Sequence, residues 1–190
     1  PSHSIGMAGL PMTVKESFNV AGLPTTWGIA QARGFTASED ALIVARARRA
    51  GAVILGKTNV PLVLADWQSY NAIHGVTRNP WDLERTPGGS SGGSSAALAA
   101  GFGPLSLGSD IGGSLRVPAH FTGVVSLKPS LGVVPGCGHT PPGAPPLPRE
   151  NDLAVVGPMA RTVADLARLF DVIAGPDELT AGVGYRLALR

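Results

Sequence analysis

Two glycine- and serine-rich segments lie close together in this chain of 190 residues. The first is Thr86-Pro-Gly-Gly-Ser-Ser-Gly-Gly-Ser-Ser95, and the second is Gly108-Ser-Asp-Ile-Gly-Gly-Ser114. Such runs are usually flexible linkers. Here a helix-like alanine-rich segment and a strand-like alternating segment separate the two runs, which argues against that interpretation. Serine hydroxyls beside exposed backbone amides are instead suited to phosphate binding or to acyl transfer.

The composition predicts a folded protein with a substantial core, because 44% of the residues are hydrophobic and 15% are charged. A net charge of +2 gives no indication of a nucleic-acid partner or an anionic membrane. The single cysteine, Cys137, excludes an internal disulfide and fits a reducing compartment. No apolar run has membrane-spanning length and no leader is evident, so we expect a cytoplasmic protein without a membrane partner.

Short apolar strands alternate with helical patterns along the chain. We expect strands at 11–15, 52–55, 104–108 and 124–127, and helices at 38–51, 60–67, 94–100 and 162–175. Thr162 and Asp165 resemble a capping box, and the proline-rich segment 135–150 predicts a long surface or binding loop. The apolar alternation at 185–190 is typical of a strand that is cut short. Alternating strands and helices predict an α/β fold with helices packed on a sheet.

Two familiar serine or phosphate motifs fit the glycine-rich segments poorly. A Walker loop needs a lysine after its glycines, and Ser94 and Ser95 stand there instead. The pattern Gly-x-Ser-x-Gly occurs around Ser90 and again around Ser91, but the residues before it do not form a strand pattern, as a nucleophile elbow requires. Such a site also needs a histidine base. The histidines all have weak contexts: His3, His74, His120 and His139.

A lysine is the next candidate for a catalytic base. Only three lysines occur, Lys15, Lys57 and Lys128, against twelve arginines. Arginine stays protonated in proteins, whereas burial can lower the pKa of a lysine until it serves as a base. All three lysines follow apolar strands, so local context does not choose among them.

Three segments together resemble the hallmark motifs of the amidase signature family of serine amidases. They are Gly9-Leu-Pro-Met-Thr-Val-Lys15, the first glycine-rich segment, and Gly108-Ser-Asp-Ile-Gly-Gly-Ser-Leu-Arg-Val-Pro118. Segments 123–130 and 157–165 resemble later landmarks of the family, so the likeness runs from Gly9 to Ile173. The resemblance implies a mixed β-sheet core flanked by helices on both faces. Family members are longer, so residues 1–190 would form the N-terminal, catalytic core portion of an incomplete domain.

The resemblance also assigns site residues. Ser114 would be the nucleophile, Ser90 the bridging serine after a cis peptide bond with Gly89, and Lys15 the base. The backbone amides of an oxyanion hole would come from Ile111, Gly112, Gly113 and Ser114, and Ser91, Asp110 and Arg116 would support the loops. Glu16 departs mildly from the aspartate usual in the family, and no metal or cofactor is implied.

The implied reaction is hydrolysis of a small-molecule carboxylic amide to an acid and ammonia or an amine, through an acyl-enzyme. Two alternatives remain open: the amidase subunit of a glutamine-dependent amidotransferase, and an inactive remnant of the fold that acts only in binding. Val117 and three aromatic residues, Trp27, Trp67 and Tyr70, favour an aryl or medium acyl amide. A truncated sheet edge would favour association, so a homo-oligomer is also expected as a possibility.

Overall fold

The computed structural model describes residues 6–145 and 152–177. In chain order these residues form β1 (Pro11–Lys15), α1 (Leu42–Arg49), β2 (Val53–Thr58), β3 (Tyr70–Asn71), β4 (Gly75–Val76), α2 (Gly92–Ala99), β5 (Leu105–Asp110), α3 (Arg116–Thr122), β6 (Val125–Ser126), β7 (Val155–Ala160) and α4 (Val163–Ile173). The strand-like alternation at 185–190 lies outside the described residues.

Five strands form one mixed sheet in the order β2-β1-β5-β7-β6. β1 pairs in parallel with β2 and with β5, whereas β7 runs antiparallel to both β5 and β6. Strands β3 and β4 form a separate antiparallel pair. The parallel register of β1 and β5 brings their carboxyl ends to the same edge of the sheet, where the side chains that follow the strands can meet.

Helices cover both faces of this sheet. On one face, α1 and α4 pack on the alternate apolar residues of the central strands, including Met12, Val14, Leu105 and Leu107. On the other face, Leu98 of α2 packs with Leu115, Ala119 and Met159. The mixed sheet with helices on both faces is therefore confirmed.

Several elements agree closely with the sequence patterns. β1 has the predicted bounds, and α4 begins after Thr162, whose Oγ1 accepts a hydrogen bond from the Asp165 amide at 3.1 Å. The helix predicted at 60–67 is wrong, because only a 3₁₀ turn at Leu62–Leu64 forms there. Val63 and Leu64 take left-handed φ values of 47° and 62°, which interrupt a right-handed helix. The Val63 amide instead donates to the carbonyl of Trp27 at 2.8 Å.

Strand β7 was not predicted, because Gly157 and Pro158 interrupt its apolar pattern. Both residues have a place in the packed sheet. A Cβ at Gly157 would lie 2.3 Å from the Leu127 carbonyl oxygen, so only glycine permits that approach. The Pro158 carbonyl accepts a hydrogen bond from the Leu127 amide at 3.2 Å. The ring of proline therefore replaces an amide without leaving the strand unpaired on its carbonyl side.

The proline-rich loop is described as far as residue 145, and its first part lies on the body of the protein. The Gly138 carbonyl accepts from the Asn19 amide at 2.9 Å, and the Cys137 carbonyl accepts from the Leu42 amide at 3.0 Å. These bonds fix the loop beside the segment that follows β1. Among the described residues, no helix combines the length and the apolar character needed to cross a membrane.

Candidate active site

Lys15 ends β1 with its side chain fully buried. Its Nζ lies 2.6 Å from Ser90 Oγ and 2.9 Å from Ser109 Oγ. Ser90 belongs to the first glycine-rich segment, and Ser109 lies on β5, next to β1 in the sheet. The fold therefore brings the predicted base to the predicted bridging serine, although 75 positions separate them in sequence.

The environment of Lys15 favours its neutral amine. Burial lowers the pKa of Lys15 from its ordinary value to about 7, although the negative charge of Asp110 acts in the opposite direction. A large fraction of Lys15 is therefore unprotonated at neutral pH, as a lysine base requires.

Ser90 follows a cis peptide bond from Gly89, as the resemblance implies. The backbone of residues 66–68 passes very close to this bond. A Cβ at position 89 would lie 2.6 Å from the Gln68 carbonyl oxygen and 2.7 Å from that of Asp66, so only glycine fits. Ser90 itself is 1% exposed, which places its hydroxyl inside the protein beside the lysine.

Ser114 lies in the loop between β5 and α3 and is 9% exposed, more than either Lys15 or Ser90. Ser91 joins this loop to the first glycine-rich segment. The Ser91 amide donates to the Ser114 carbonyl at 3.2 Å, and Ser91 Oγ donates to the Ser109 carbonyl at 3.3 Å. The two glycine-rich segments thus meet at one place, with the least buried of the three predicted catalytic residues on the outer side.

Asp110 organises the loop that carries Ser114. One carboxylate oxygen accepts from the Gly113 amide at 2.8 Å and the other from the Leu115 amide at 2.9 Å. Arg116 binds both oxygens, at 2.9 and 3.0 Å. Burial alone would raise the pKa of Asp110, but the hydrogen bonds from Arg116, the two amides and Lys128 hold this pKa well below its usual range. Asp110 is therefore an anion that fixes the loop around it.

The bond from Gly113 changes the predicted oxyanion hole. Its N–H points at Asp110 Oδ1 and is not free to bind a substrate oxygen. The prediction for Gly113 is corrected for this reason, and the predicted amides at Ile111, Gly112 and Ser114 remain as candidates.

The structure separates the three lysines that the sequence left equivalent. Lys57 Nζ donates to the Pro24 carbonyl and to Thr25 Oγ1, and burial lowers the pKa of Lys57 to about 8. Lys128 Nζ lies 3.2 Å from Asp110 Oδ1 and donates to the Ile111 carbonyl at 2.7 Å. Sequence reasoning missed this supporting role of Lys128. Its signal was a lysine in a segment that resembles a family landmark.

The described histidines have other surroundings. His74 and His120 are exposed. His139 packs on Phe18, with 4.6 Å between ring centroids, and its Nε2 lies 2.9 Å from Ser17 Oγ. Burial, followed by the charge of Lys15, lowers the pKa of His139 to about 3, so it is neutral at physiological pH. His3 lies outside the described residues. Within 6–145 and 152–177, no three His, Cys, Asp or Glu side chains group together as metal ligands.

The predicted aromatic residues differ in position. Trp67 is 57% exposed, and a Cβ at Gly113 would lie 3.5 Å from its Nε1, so its indole borders the Ser114 loop. Trp27 is held away from that loop, since its Nε1 donates to the Ser17 carbonyl at 3.0 Å. Tyr70 is 46% exposed and donates to Asp66.

Glu16, the departure from the family pattern, has a structural role beside the site. Its carboxylate accepts from Thr26 Oγ1 at 2.7 Å and from the Trp27 amide at 2.9 Å. The glutamate therefore fixes the turn at 26–27, which explains why a carboxylate stands after Lys15.

The model of the family described as Amidase matches residues 2–183. The chain belongs to the amidase family. It is 48% identical over 175 residues to the first subunit of the glutamyl-tRNA(Gln) amidotransferase from Symbiobacterium thermophilum, covering 92% of this chain and 34% of that protein.

Solved amidase structures share the fold. The peptide amidase of Stenotrophomonas maltophilia is 34% identical, with a TM-score of 0.84 over 98% of this chain and 38% of its own. A 6-aminohexanoate cyclic dimer hydrolase is 38% identical, with a TM-score of 0.83 over 96% of this chain and 38% of its own. This amidase-family chain thus spans about a third of the length of the relatives it matches.

Proposed function

We propose that this chain carries the catalytic core of a serine amidase that hydrolyses carboxylic amides to acids and ammonia or amines. The observation that carries the proposal is the buried contact of 2.6 Å between Lys15 Nζ and Ser90 Oγ. Lys15 has a pKa of about 7 in that setting, which suits a base that works at neutral pH. Residues 1–190 then correspond to the N-terminal, catalytic portion of a longer amidase domain.

In the proposed reaction, neutral Lys15 accepts the proton of Ser90 while Ser90 accepts that of Ser114. Ser114 Oγ attacks the amide carbonyl carbon, and the amides of Ile111, Gly112 and Ser114 stabilise the negative oxygen. The C–N bond then breaks, and the proton held by Lys15 returns through Ser90 to the leaving nitrogen. Water attacks the Ser114 ester next, which releases the acid and restores the serine.

The proposed reaction predicts a rate that rises with pH. Lys15 is inactive as an ammonium and active as an amine, so kcat/KM is expected to increase about tenfold per pH unit below pH 7 and to level off above it. Initial rates of amide hydrolysis from about pH 5 to about pH 9 measure this acid limb. A rate that falls as pH rises through 7 would contradict a lysine base.

Trp67 favours an amide with an aromatic acyl group, because its exposed indole borders the loop that carries Ser114. Replacing it with alanine (Trp67→Ala) is expected to lower kcat/KM for benzamide by about 10- to 100-fold and to change that for acetamide much less, since apolar contact contributes only to the larger group. The matched control is Trp81→Ala, because Trp81 is 73% exposed and binds the Thr122 carbonyl instead. Equal losses for both substrates would argue against this pocket.

The second candidate is the amidase subunit of a glutamine-dependent amidotransferase, favoured by the 48% identity to a protein of that kind. Parallel assays of ammonia release from benzamide and from glutamine distinguish the two. Release from benzamide that is lost in Ser114→Ala supports the amidase. Release from glutamine alone, together with copurifying partner proteins, supports the amidotransferase. A folded chain that releases ammonia from neither substrate supports the inactive remnant.

A further inference from the structure

Lys15 has a second hydroxyl neighbour that the proposed triad does not use. Ser109 Oγ lies 2.9 Å from Lys15 Nζ, on the strand next to β1. Ser109 is 6% exposed, so water contributes little to this contact. The Lys15 amine therefore lies within hydrogen-bond distance of two serine hydroxyls, one on each glycine-rich segment.

The chemistry of a neutral amine gives these two hydroxyls different roles. An unprotonated lysine has one lone pair and two N–H donors, and only the lone pair can accept the proton of Ser90. An acceptor on another side of the nitrogen takes one N–H and so restricts rotation of the amine. We propose that Ser109 is a positioning residue whose hydroxyl accepts an N–H of Lys15 and thereby turns the lone pair toward Ser90. This inference rests on the proposed function of Lys15 as a base.

Ser109 is itself held in place for such a role. Its amide donates to Ser91 Oγ at 3.4 Å, and its carbonyl accepts from the same hydroxyl at 3.3 Å. Its strand is also paired with β7, where Ser109 lies opposite Val156. The acceptor that faces Lys15 is therefore fixed by both glycine-rich segments and by the sheet.

The test compares Ser109→Ala with Ser106→Ala. Ser106 is a matched control because it is fully buried on the same strand and exchanges hydrogen bonds with Thr13, away from Lys15. The chain contains only three lysines, so NMR titration of the lysine Cε resonances can follow Lys15 directly. Kinetic measurements of amide hydrolysis on the same proteins provide the second readout.

An ammonium donates a stronger hydrogen bond than an amine, so loss of the Ser109 acceptor destabilises the charged form more. Ser109→Ala is therefore expected to lower the pKa of Lys15 by about one pH unit and kcat by roughly 10- to 100-fold. Ser109→Thr, which keeps the hydroxyl, is expected to restore both values, and Ser106→Ala to change neither. If the alanine variant does not fold, Ser109→Cys, a weaker acceptor of similar size, is expected to shift both values in the same direction.

Two results would separate failure of this inference from failure of the proposed function. A Lys15 pKa and kcat in Ser109→Ala equal to those in Ser106→Ala would overturn the role of Ser109 while leaving the lysine base intact. Full activity of Lys15→Met would overturn the proposed base, and with it the reason for positioning its lone pair.

Discussion

Replacing Lys15 with methionine is expected to lower kcat/KM for amide hydrolysis by roughly 10⁴-fold, because the variant has no group to accept the proton of Ser114 through Ser90. Methionine has a similar length and no charge, so it fills the fully buried site without leaving an ion there. Steady-state kinetics at about pH 8 measure the loss with the wild-type lysine largely neutral. The residual rate is expected to lack the acid limb near pH 7.

Lys57→Met provides the matched control, because Lys57 is also a largely buried lysine with a lowered pKa of about 8. Its amine binds Pro24 and Thr25, whereas that of Lys15 binds Ser90. We expect this variant to keep activity within about tenfold of the wild type. A loss as large in Lys57→Met as in Lys15→Met would show that the assay reports on the fold and not on the base.

Lys15 also links folding stability to pH. Its folded pKa of about 7 lies below the ordinary value of 10.5, so between these values the unfolded chain binds the extra proton. The free energy of unfolding contributed by Lys15 therefore rises with pH across that window. Urea denaturation at several pH values should show this rise in the wild type and a weaker dependence in Lys15→Met.

Asp110→Asn is expected to destabilise the fold by about 2–4 kcal/mol, because one amide oxygen cannot satisfy two loop amides, Arg116 and Lys128. The Asp110 side chain is fully buried, whereas its ion-pair partners Arg116 and Lys128 are 56% and 22% exposed. Most of the loss is therefore expected from the unsatisfied loop amides. For a chain of this size, the melting temperature should fall by about 5–15 °C.

Asp82→Asn is the control for this second prediction, since Asp82 pairs with Arg85 on the surface and the two side chains are 47% and 78% exposed. Such exposed pairs contribute about 0–1 kcal/mol, so its melting temperature should change little. Calorimetry of both variants gives the comparison. The stabilisation from Asp110 is present above the ordinary aspartate pKa and is lost as pH falls through the lowered folded value. Equal melting temperatures for the two variants would argue against Asp110 as the anchor of the Ser114 loop.

The sequence predicted the elements whose local pattern and packing agree. β1 ends at Lys15 as expected, and the apolar face and capping box of α4 reappear in the structure. β7 and the left-handed turn at Val63 and Leu64 could not be read from local patterns, because tertiary packing there overrides the propensities of proline and valine.

The site shows the same division at the level of single groups. The family resemblance brought Lys15 and Ser90 together correctly, since motif positions carry that information. It could not reveal that the Gly113 amide is bound by Asp110, or that Ser109 and Lys128 face the same cluster. These contacts depend on the direction of individual bonds and on strand register, which residue types alone do not specify.

Covalent labelling with a fluorophosphonate, followed by peptide mass mapping, tests the central claim that Ser114 is a nucleophile activated through Ser90 by Lys15. We predict one adduct on the peptide that contains Ser114, slower labelling below pH 7, no adduct in Ser114→Ala and strongly reduced labelling in Lys15→Met. An adduct on Ser90 or Ser91, or labelling that persists unchanged in Ser114→Ala, would contradict the account.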